Sequence, residues 1–286
     1  MSEKWVPEML KPTIDREKVL KALPSIKSFP NVPKVAVPII QMANDENKSF
    51  ADLAKVIETD PELSARILTI ANSGFYGFKR QIKSINHALV MLGWNAVKMI
   101  ALGSTILTRM CAQDRATFNH SMRTAQIARF LAMEANFYKV EEIAVVGLLH
   151  DFGIIILKMY FPDEYMKALQ FSIDNGLPLH IGEREILNVD HADVGGWTLQ
   201  EWDLPENITE SVAKHHSYDP YSYHARKTAV IHLADILATA VDVNGPAWEK
   251  VPEISASALE TLGFSNSELK DMLLTIMKMK LDPLIV

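Results

Sequence analysis

The residues of this 286-residue chain most suited to chemistry are histidines and aspartates, and the clearest are the adjacent His150 and Asp151. They follow an apolar run that ends at Leu149. Further candidates lie far along the chain: His120, His215, His216 and Asp235. Imidazole and carboxylate groups from separate helices are the ligands of a divalent-metal site, which in this combination assists phosphate chemistry.

The elements that must position these residues are predicted to be helices. Residues 117–136 have apolar side chains at helical spacing and carry His120 near their start. Glu141 and Glu142 fit the first turn of a second helix, which runs directly into His150. No alternating polar and apolar run is long enough to predict a strand. The expected fold is therefore all-α, a multi-helix bundle.

Helix-capping signals divide the region before these candidates. Ser49 with Asp52 resembles a capping box, and Asp60 before a proline is typical of a helix start. Ser84 is expected to begin a helix that continues to Leu92. The segment 72–77 is predicted to be a C-capping turn, with a ligand loop as the alternative.

The end of the chain, residues 255–281, is predicted to form one or two amphipathic helices with Ser265 as a cap. Their apolar side is expected to contain Leu269, Met272, Leu273 and Met277. Proline and glycine clusters predict loops at residues 29–33, 175–178 and 244–246.

Composition restricts the class of protein. Hydrophobic residues make up 48% and charged residues 22%, which is typical of a soluble globular chain. The net charge of -6 argues against nucleic-acid binding as a main activity. The single cysteine, Cys111, excludes an intramolecular disulfide and a Cys-rich zinc site, and fits a reducing compartment.

The best candidate for a membrane span is the apolar stretch 89–107. Gly93, Asn95 and Lys98 interrupt it, so it is better interpreted as a buried helix pair that separates at Leu92 and Gly93. With no charged-then-apolar leader at the start, the chain is expected to be cytoplasmic and not to contact a membrane.

The N-terminal half resembles the HDOD domain, a bacterial signalling module related to the HD phosphohydrolase superfamily. The resemblance is carried by residues 23–25, 57–63, 70–77 and 85–93, with the DP-x-L and NS-x-x-YG elements as the most specific. It implies the following organisation: an N-terminal extension 1–17; an HDOD domain 18–216, with a helical part 18–110 and an HD-like part 111–240 that overlaps its end; and C-terminal helices 241–286.

The central part also resembles the catalytic HD-GYP branch of this superfamily. His120 with Arg123 matches its H-S-x-R motif, and residues 150–153 match HD-x-G. His191 lies where a third ligand would be, and the double histidine and closing aspartate are also present. The resemblance implies one or two divalent ions (Fe, Mn, Zn or Mg) bound by His120, His150, Asp151, His191, His215, His216 and Asp235.

Two departures from that branch bear on function. Ile154 stands where the branch has a lysine, and residues 217–220 lack its G-Y-P signature. The preferred hypothesis is therefore a non-catalytic signalling module that acts through protein partners and keeps the metal cleft either for structure or for a ligand, for which a phosphorylated small molecule is the candidate. The alternative is a metal-dependent phosphohydrolase of nucleotides or cyclic dinucleotides, in which Asp151 bridges the ions and Arg123 orients the phosphate.

Structural interpretations compete with these assignments. The histidines could simply form hydrogen bonds in a polar cleft left from an ancestral enzyme. Arg123 could hold a phosphate or pair with a nearby carboxylate. Four further histidines are expected to be structural or surface groups: His87, His180, His224 and His232.

Overall fold

The computed structural model describes residues 48–72, 78, 80–101, 114–201, 204–242 and 250–279, and a few isolated positions before residue 43. Every regular element in these ranges is an α-helix, and none of their residues is in a strand. The all-α prediction is confirmed. The helices are α1 (Phe50–Glu58), α2 (Pro61–Ala71), α3 (Ile85–Leu92), α4 (Arg115–Glu134), α5 (Val140–Leu149), α6 (Phe152–Tyr160), α7 (Pro162–Asn175), α8 (Leu179–Leu187), α9 (His191–Glu201), α10 (Glu206–Ala213), α11 (Ala225–Ala240), α12 (Ala256–Leu262) and α13 (Asn266–Lys278).

The predicted caps of the first three helices are confirmed. Ser49 and Asp52 form a reciprocal capping box at α1. The Asp60 side chain accepts the backbone N–H of Leu63 at the start of α2, and Ser84 caps α3. Each cap satisfies an N–H group that has no partner within its helix, which fixes where the helix begins.

The apolar stretch 89–107 is broken as predicted. Helix α3 ends at Leu92, Gly93 has a φ of 87°, and residues 94–101 are helical again. A positive φ of this size favours glycine, so the glycine at this position allows the helix to end there. Residues 102–107 and the predicted turn at 73–77 lie outside the described residues. Across the described ranges, we find no helix with both the length and the apolar character that crossing a bilayer requires.

Helix α11 lies at the centre of the part that carries the candidate ligands. Twelve of its sixteen residues are buried, and it packs against α4, α5, α10 and α12. Helices α4 and α5 approach closely at Gly147, where an added Cβ would lie 3.0 Å from the Cα of Ala125. This close packing brings the His120 turn of α4 near the end of α5, where His150 lies.

A buried polar network connects residue 95 to two ligand-bearing helices. Glu142 on α5 accepts from the Lys227 ammonium on α11 at 2.6 Å and from the Asn95 amide at 2.7 Å. Burial alone would raise the pKa of Glu142, but Lys227 and Asn95 outweigh it and lower that pKa below 4.5. The network thus holds α5 and α11 together at the ends away from the ligands.

We expect Lys227→Met to destabilise the fold by about 2 to 3 kcal/mol, because it leaves the buried Glu142 carboxylate unpaired. Since the pKa of Glu142 is depressed, the pair stabilises the wild type above about pH 4.5 and loses this contribution as pH falls further. Urea unfolding at neutral and acidic pH measures both effects. Equal acid sensitivity in the variant and the wild type would contradict this role.

Two details of the prediction need correction. Helix α4 begins at Arg115 and ends at Glu134, two residues earlier at each end than predicted, because Asp114 caps it by accepting from the Thr117 N–H. Met277 is not on the apolar side of α13: it is 65% exposed, and Ile276 is buried instead. The predicted loop at 175–178 is observed at residues 176–178, since α7 extends to Asn175, whereas those predicted at 29–33 and 244–246 lie outside the described residues.

Candidate metal centre

The HD dipeptide lies at the junction of two helices. His150 is the C-cap of α5 and Asp151 the N-cap of α6. Gly153 allows α6 to lie directly against the start of α9, since a Cβ there would be only 2.0 Å from the carbonyl oxygen of His191. The glycine of the HD-x-G motif therefore brings His191 close to Asp151.

The remaining ligand-bearing segments reach the same place by similar packing. Gly196 permits α9 to contact α10, where an added Cβ would lie 2.4 Å from the Cβ of Ala213. Helix α10 ends at that residue, and His215 and His216 follow it. Helix α11 contributes Asp235.

The first group of candidate ligands comprises His120, His150 and Asp235. The Nε2 of His120 lies 3.0 Å from Oδ1 of Asp235 and 3.3 Å from Nε2 of His150. All three side chains are buried. Residues separated by 115 positions in the chain thus present their donor atoms to one point.

The second group comprises Asp151, His191, His215 and His216. Oδ1 of Asp151 lies 3.1 Å from Nε2 of His191 and 3.7 Å from Nε2 of His215. The same oxygen is 3.1 Å from Nε2 of His150, which belongs to the first group. Asp151 therefore lies between the two groups, and all seven residues singled out as candidate ligands are brought together.

Outer hydrogen bonds fix the orientation of three rings. Nδ1 of His150 donates to the carbonyl of Gly147 at 2.8 Å, and Nδ1 of His215 donates to that of Val212 at 2.6 Å. Nδ1 of His191 donates to the buried Glu183 carboxylate at 2.6 Å. In the neutral form of each ring, this bond leaves the Nε2 lone pair directed at the centre, which is the arrangement of metal-binding histidines.

Two features of the centre leave nitrogen lone pairs that a cation would satisfy. Nε2 of His215 is fully buried and has no hydrogen-bond partner. Nε2 of His191 lies only 2.8 Å from Nε2 of His216, so one of these nitrogens needs a proton or a metal ion to avoid lone-pair repulsion. Leaving such groups unsatisfied is costly, and the residues present therefore fit a bound divalent ion.

The charges of the first group favour protonated rings when no metal is present. Burial opposes the charged form of His150, but Asp151 and Asp235 outweigh it and raise its pKa to about 10. The pKa of His120 is raised against burial by the same two carboxylates. In return, the imidazoles hold the pKa of both aspartates well below 3.8 despite burial.

The second group contains one imidazole that favours the protonated form and two that favour the neutral form. Burial opposes a charge on His191, yet Glu183 and Asp151 raise its pKa well above 6.5. Burial and the neighbouring imidazoles lower the pKa of His215 to about 3 and that of His216 well below 6.5. The latter two rings are thus neutral and ready to coordinate at neutral pH.

Metal binding is expected to release protons, because an ion must displace them from the rings with raised pKa. Affinity for manganese or zinc should therefore fall as pH is lowered from about 8 to about 6. Chelator competition at several pH values, with proton release measured calorimetrically in buffers of different ionisation enthalpy, tests this. An affinity that does not vary with pH would contradict these protonation states.

The structure also involves residues that the sequence did not single out. His180, predicted to be structural or exposed, stacks on His216 with ring centroids 4.0 Å apart and lines the cleft above the centre. Glu183, which orients His191, belongs to no motif of the sequence. Nothing in the sequence indicates that the ring of His180 lies against a candidate ligand, because the contact with His216 forms only in the folded chain.

Other predictions about side chains have clear outcomes. Arg123 pairs with Asp242, one of the two alternatives considered, and is not among the residues that line the cleft. His232 is a satisfied core residue: its Nδ1 donates to the carbonyl of His215 and its Nε2 accepts the N–H of Ser255. The hydrogen bond from His232 to the carbonyl of His215 supports the backbone that carries the double histidine.

The family model of the HDOD domain matches residues 29–218, about two thirds of the chain. The chain belongs to the HDOD family. Asp235 lies beyond the matched residues, so the candidate centre of this HDOD protein extends into the helix that follows them. A curated relative, an uncharacterized protein of Treponema pallidum (strain Nichols), is 22% identical over 233 residues, 79% of this chain. The chain spans 45% of that relative's length.

Solved structures of three proteins share the fold. An HDOD protein of unknown function from Geobacter sulfurreducens has a TM-score of 0.64 at 22% identity, covering 92% of this chain and 99% of its own. A proposed phosphohydrolase from Shewanella amazonensis has a TM-score of 0.67 at 20% identity, with coverage of 92% and 94%. A proposed signal transduction protein from Marinobacter aquaeolei has a TM-score of 0.69 at 20% identity, with coverage of 95% and 60%. At these identities the likeness is one of fold.

Proposed function

We propose that this protein is a regulatory HDOD module of a bacterial signalling pathway, one that holds divalent metal in its His/Asp cleft without turning over a substrate. The observation that supports a non-catalytic role most directly is Ile154. Its side chain lines the cleft, at the position where the resembling catalytic branch has a lysine. An apolar group there gives no stabilisation to the extra negative charge of a phosphoryl-transfer transition state.

The metal sites are proposed from the two groups of ligands. His120, His150 and Asp235 would hold one ion, and His191, His215 and His216 a second, with Asp151 shared between them. Five imidazoles and two carboxylates suit iron, manganese or zinc better than magnesium, which prefers oxygen ligands. When bound, such ions act as Lewis acids and as anchors for phosphate oxygens.

In this proposal the residues of the cleft bind and orient, and the output passes to a protein partner. A phosphorylated small molecule is the proposed input. Binding of this molecule would alter the packing of the helices around the centre. Helices α5, α9 and α11 each carry a candidate metal-binding side chain and are otherwise held by buried contacts. As part of the same proposal, we expect the protein to act in the cytoplasm.

The second candidate function is metal-dependent hydrolysis of nucleotides or cyclic dinucleotides. It is favoured by one observation: Oδ1 of Asp151 lies 3.1 Å from an imidazole of each ligand group, as a bridging carboxylate would. In this reading Arg123 would orient the phosphate, although it would first have to leave Asp242.

Metal analysis combined with activity assays distinguishes the two functions. We expect the purified protein to retain metal, and to show no turnover of a nitrophenyl phosphodiester or of cyclic dinucleotides with added manganese or iron. Turnover that depends on metal and disappears in Asp151→Ala would establish the hydrolase instead. The same assay on Ile154→Lys, which supplies the missing cation, shows whether that position limits activity.

A further inference from the structure

A lysine outside the family-matched residues lies at the rim of the candidate cleft. Lys250 and Pro252, from the segment before α12, line the same cleft as His120, Asp151 and Asp235. The Lys250 side chain extends over the turn between α7 and α8, since its Cε is 3.6 Å from where a Cβ of Gly176 would lie. A positive charge is thus placed at the cleft by the C-terminal segment rather than at position 154.

The cleft offers this lysine no counter-charge once metal is bound. Within the described part of the chain, no carboxylate forms an ion pair with Lys250. The two aspartates at the floor contribute two negative charges, so one divalent ion makes the floor neutral and a second makes it positive. In neither case does the floor attract the ammonium, and an anion between them would relieve the imbalance.

We infer that Lys250 recognises an anionic ligand that carries a phosphate group, an inference that rests on the proposed function. Phosphate oxygens suit both a divalent metal ion and an ammonium, and lysine binds phosphate as a point charge. The cleft is open to solvent on one side, and the space between its walls, mouth included, is about 400 Å³.

The walls of the cleft indicate what the rest of the ligand is like. Ile154, Leu179 and Pro252 form apolar surface beside the polar floor, and the ring of His180 is a flat surface at the same rim. These groups suit an uncharged organic part attached to the phosphate. The ligand class is therefore a phosphate ester of a small organic molecule rather than free inorganic phosphate.

The position of Lys250 also gives ligand binding a route to the C-terminal helices. The N–H of Ser255, five residues later, donates to His232 on α11, and α12 begins directly after it and packs on α11. A ligand that holds Lys250 would fix this connection between the cleft and α12.

Binding of inorganic phosphate and of a nucleoside monophosphate to the metal-loaded full chain tests the inference. We expect Lys250→Gln to weaken both about tenfold and to reduce the salt dependence of binding, because one charge-assisted contact is lost. The matched control is Lys270→Gln on the exposed face of α13, which should bind both probes as the wild type does. Metal content is measured on each protein.

The outcomes separate this inference from the proposed function. The inference would be overturned if Lys250→Gln bound both phosphate probes with unchanged affinity, or if the metal-loaded wild type bound neither probe. Neither result would contradict the proposed metal centre. Wild-type protein that takes up no metal would refute the proposed function. The comparison of Lys250→Gln with wild type on that metal-free protein would still decide whether Lys250 recognises the anion.

Discussion

Asp151→Asn is expected to weaken metal binding by at least about a hundredfold, the largest effect of any single substitution in the centre. The Asp151 carboxylate lies 3.1 Å from His150 and His191, 3.5 Å from His120 and 3.7 Å from His215. Asparagine keeps the shape but removes the charge that both ligand groups share. Elemental analysis and chelator competition measure the loss.

The matched control for this substitution is Asp271→Asn. Asp271 is an exposed aspartate of α13, and its backbone carbonyl accepts from the Thr275 hydroxyl. The Asp271→Asn variant should retain wild-type metal content. Wild-type affinity in Asp151→Asn would mean that the two ligand groups do not depend on a common carboxylate.

Gly153→Ala is expected to disrupt the centre from outside the set of ligands. The added Cβ would lie 2.0 Å from the carbonyl oxygen of His191 and 3.0 Å from the backbone nitrogen of Gly195. Both contacts are with backbone, so α6 and α9 must separate, at a cost of about 3 kcal/mol or more. Because this movement withdraws His191 from Asp151, metal affinity should fall along with the melting temperature.

Gly263→Ala distinguishes loss of stability from loss of the site. Gly263 has a φ of 76° and open space around its Cβ position, so alanine there introduces backbone strain of about 1 kcal/mol without a clash. We expect a lower melting temperature with unchanged metal affinity. If Gly153→Ala also kept full metal affinity, the close contact of α6 and α9 would not be what positions His191.

The candidate ligands could be predicted from sequence because their residue types and motifs identify them before any packing is known. An HD dipeptide at the end of an apolar helix can be recognised as a candidate metal-binding motif in the sequence alone. The same is true of a double histidine that follows a helix end. The sequence could not reveal Glu183 or His180, because their roles arise only when α8 packs beside α9. For Arg123 it left two partners open, and the pairing with Asp242 depends on residues 119 positions apart.

The fold was predictable where local signals decide it and less so where tertiary contacts do. The caps at Ser49, Asp60 and Ser84 and the break at Gly93 follow from single side chains and a single φ angle. The burial of Ile276 in place of Met277 depends on how α13 lies against its neighbours, which periodicity alone does not determine. The domain limits at residues 18 and 216 stay a prediction beside the family match of 29–218.

Anomalous diffraction from crystals of metal-loaded protein is the sharpest test of the proposed metal centre. We expect one or two anomalous peaks between His120, Asp151 and His191, at about 2.0 to 2.3 Å from the imidazole nitrogens and carboxylate oxygens. Crystals grown with manganese, iron or zinc that show no such peak in the cleft would contradict the proposed centre. The clustered side chains would then be a hydrogen-bonded network and not a metal centre.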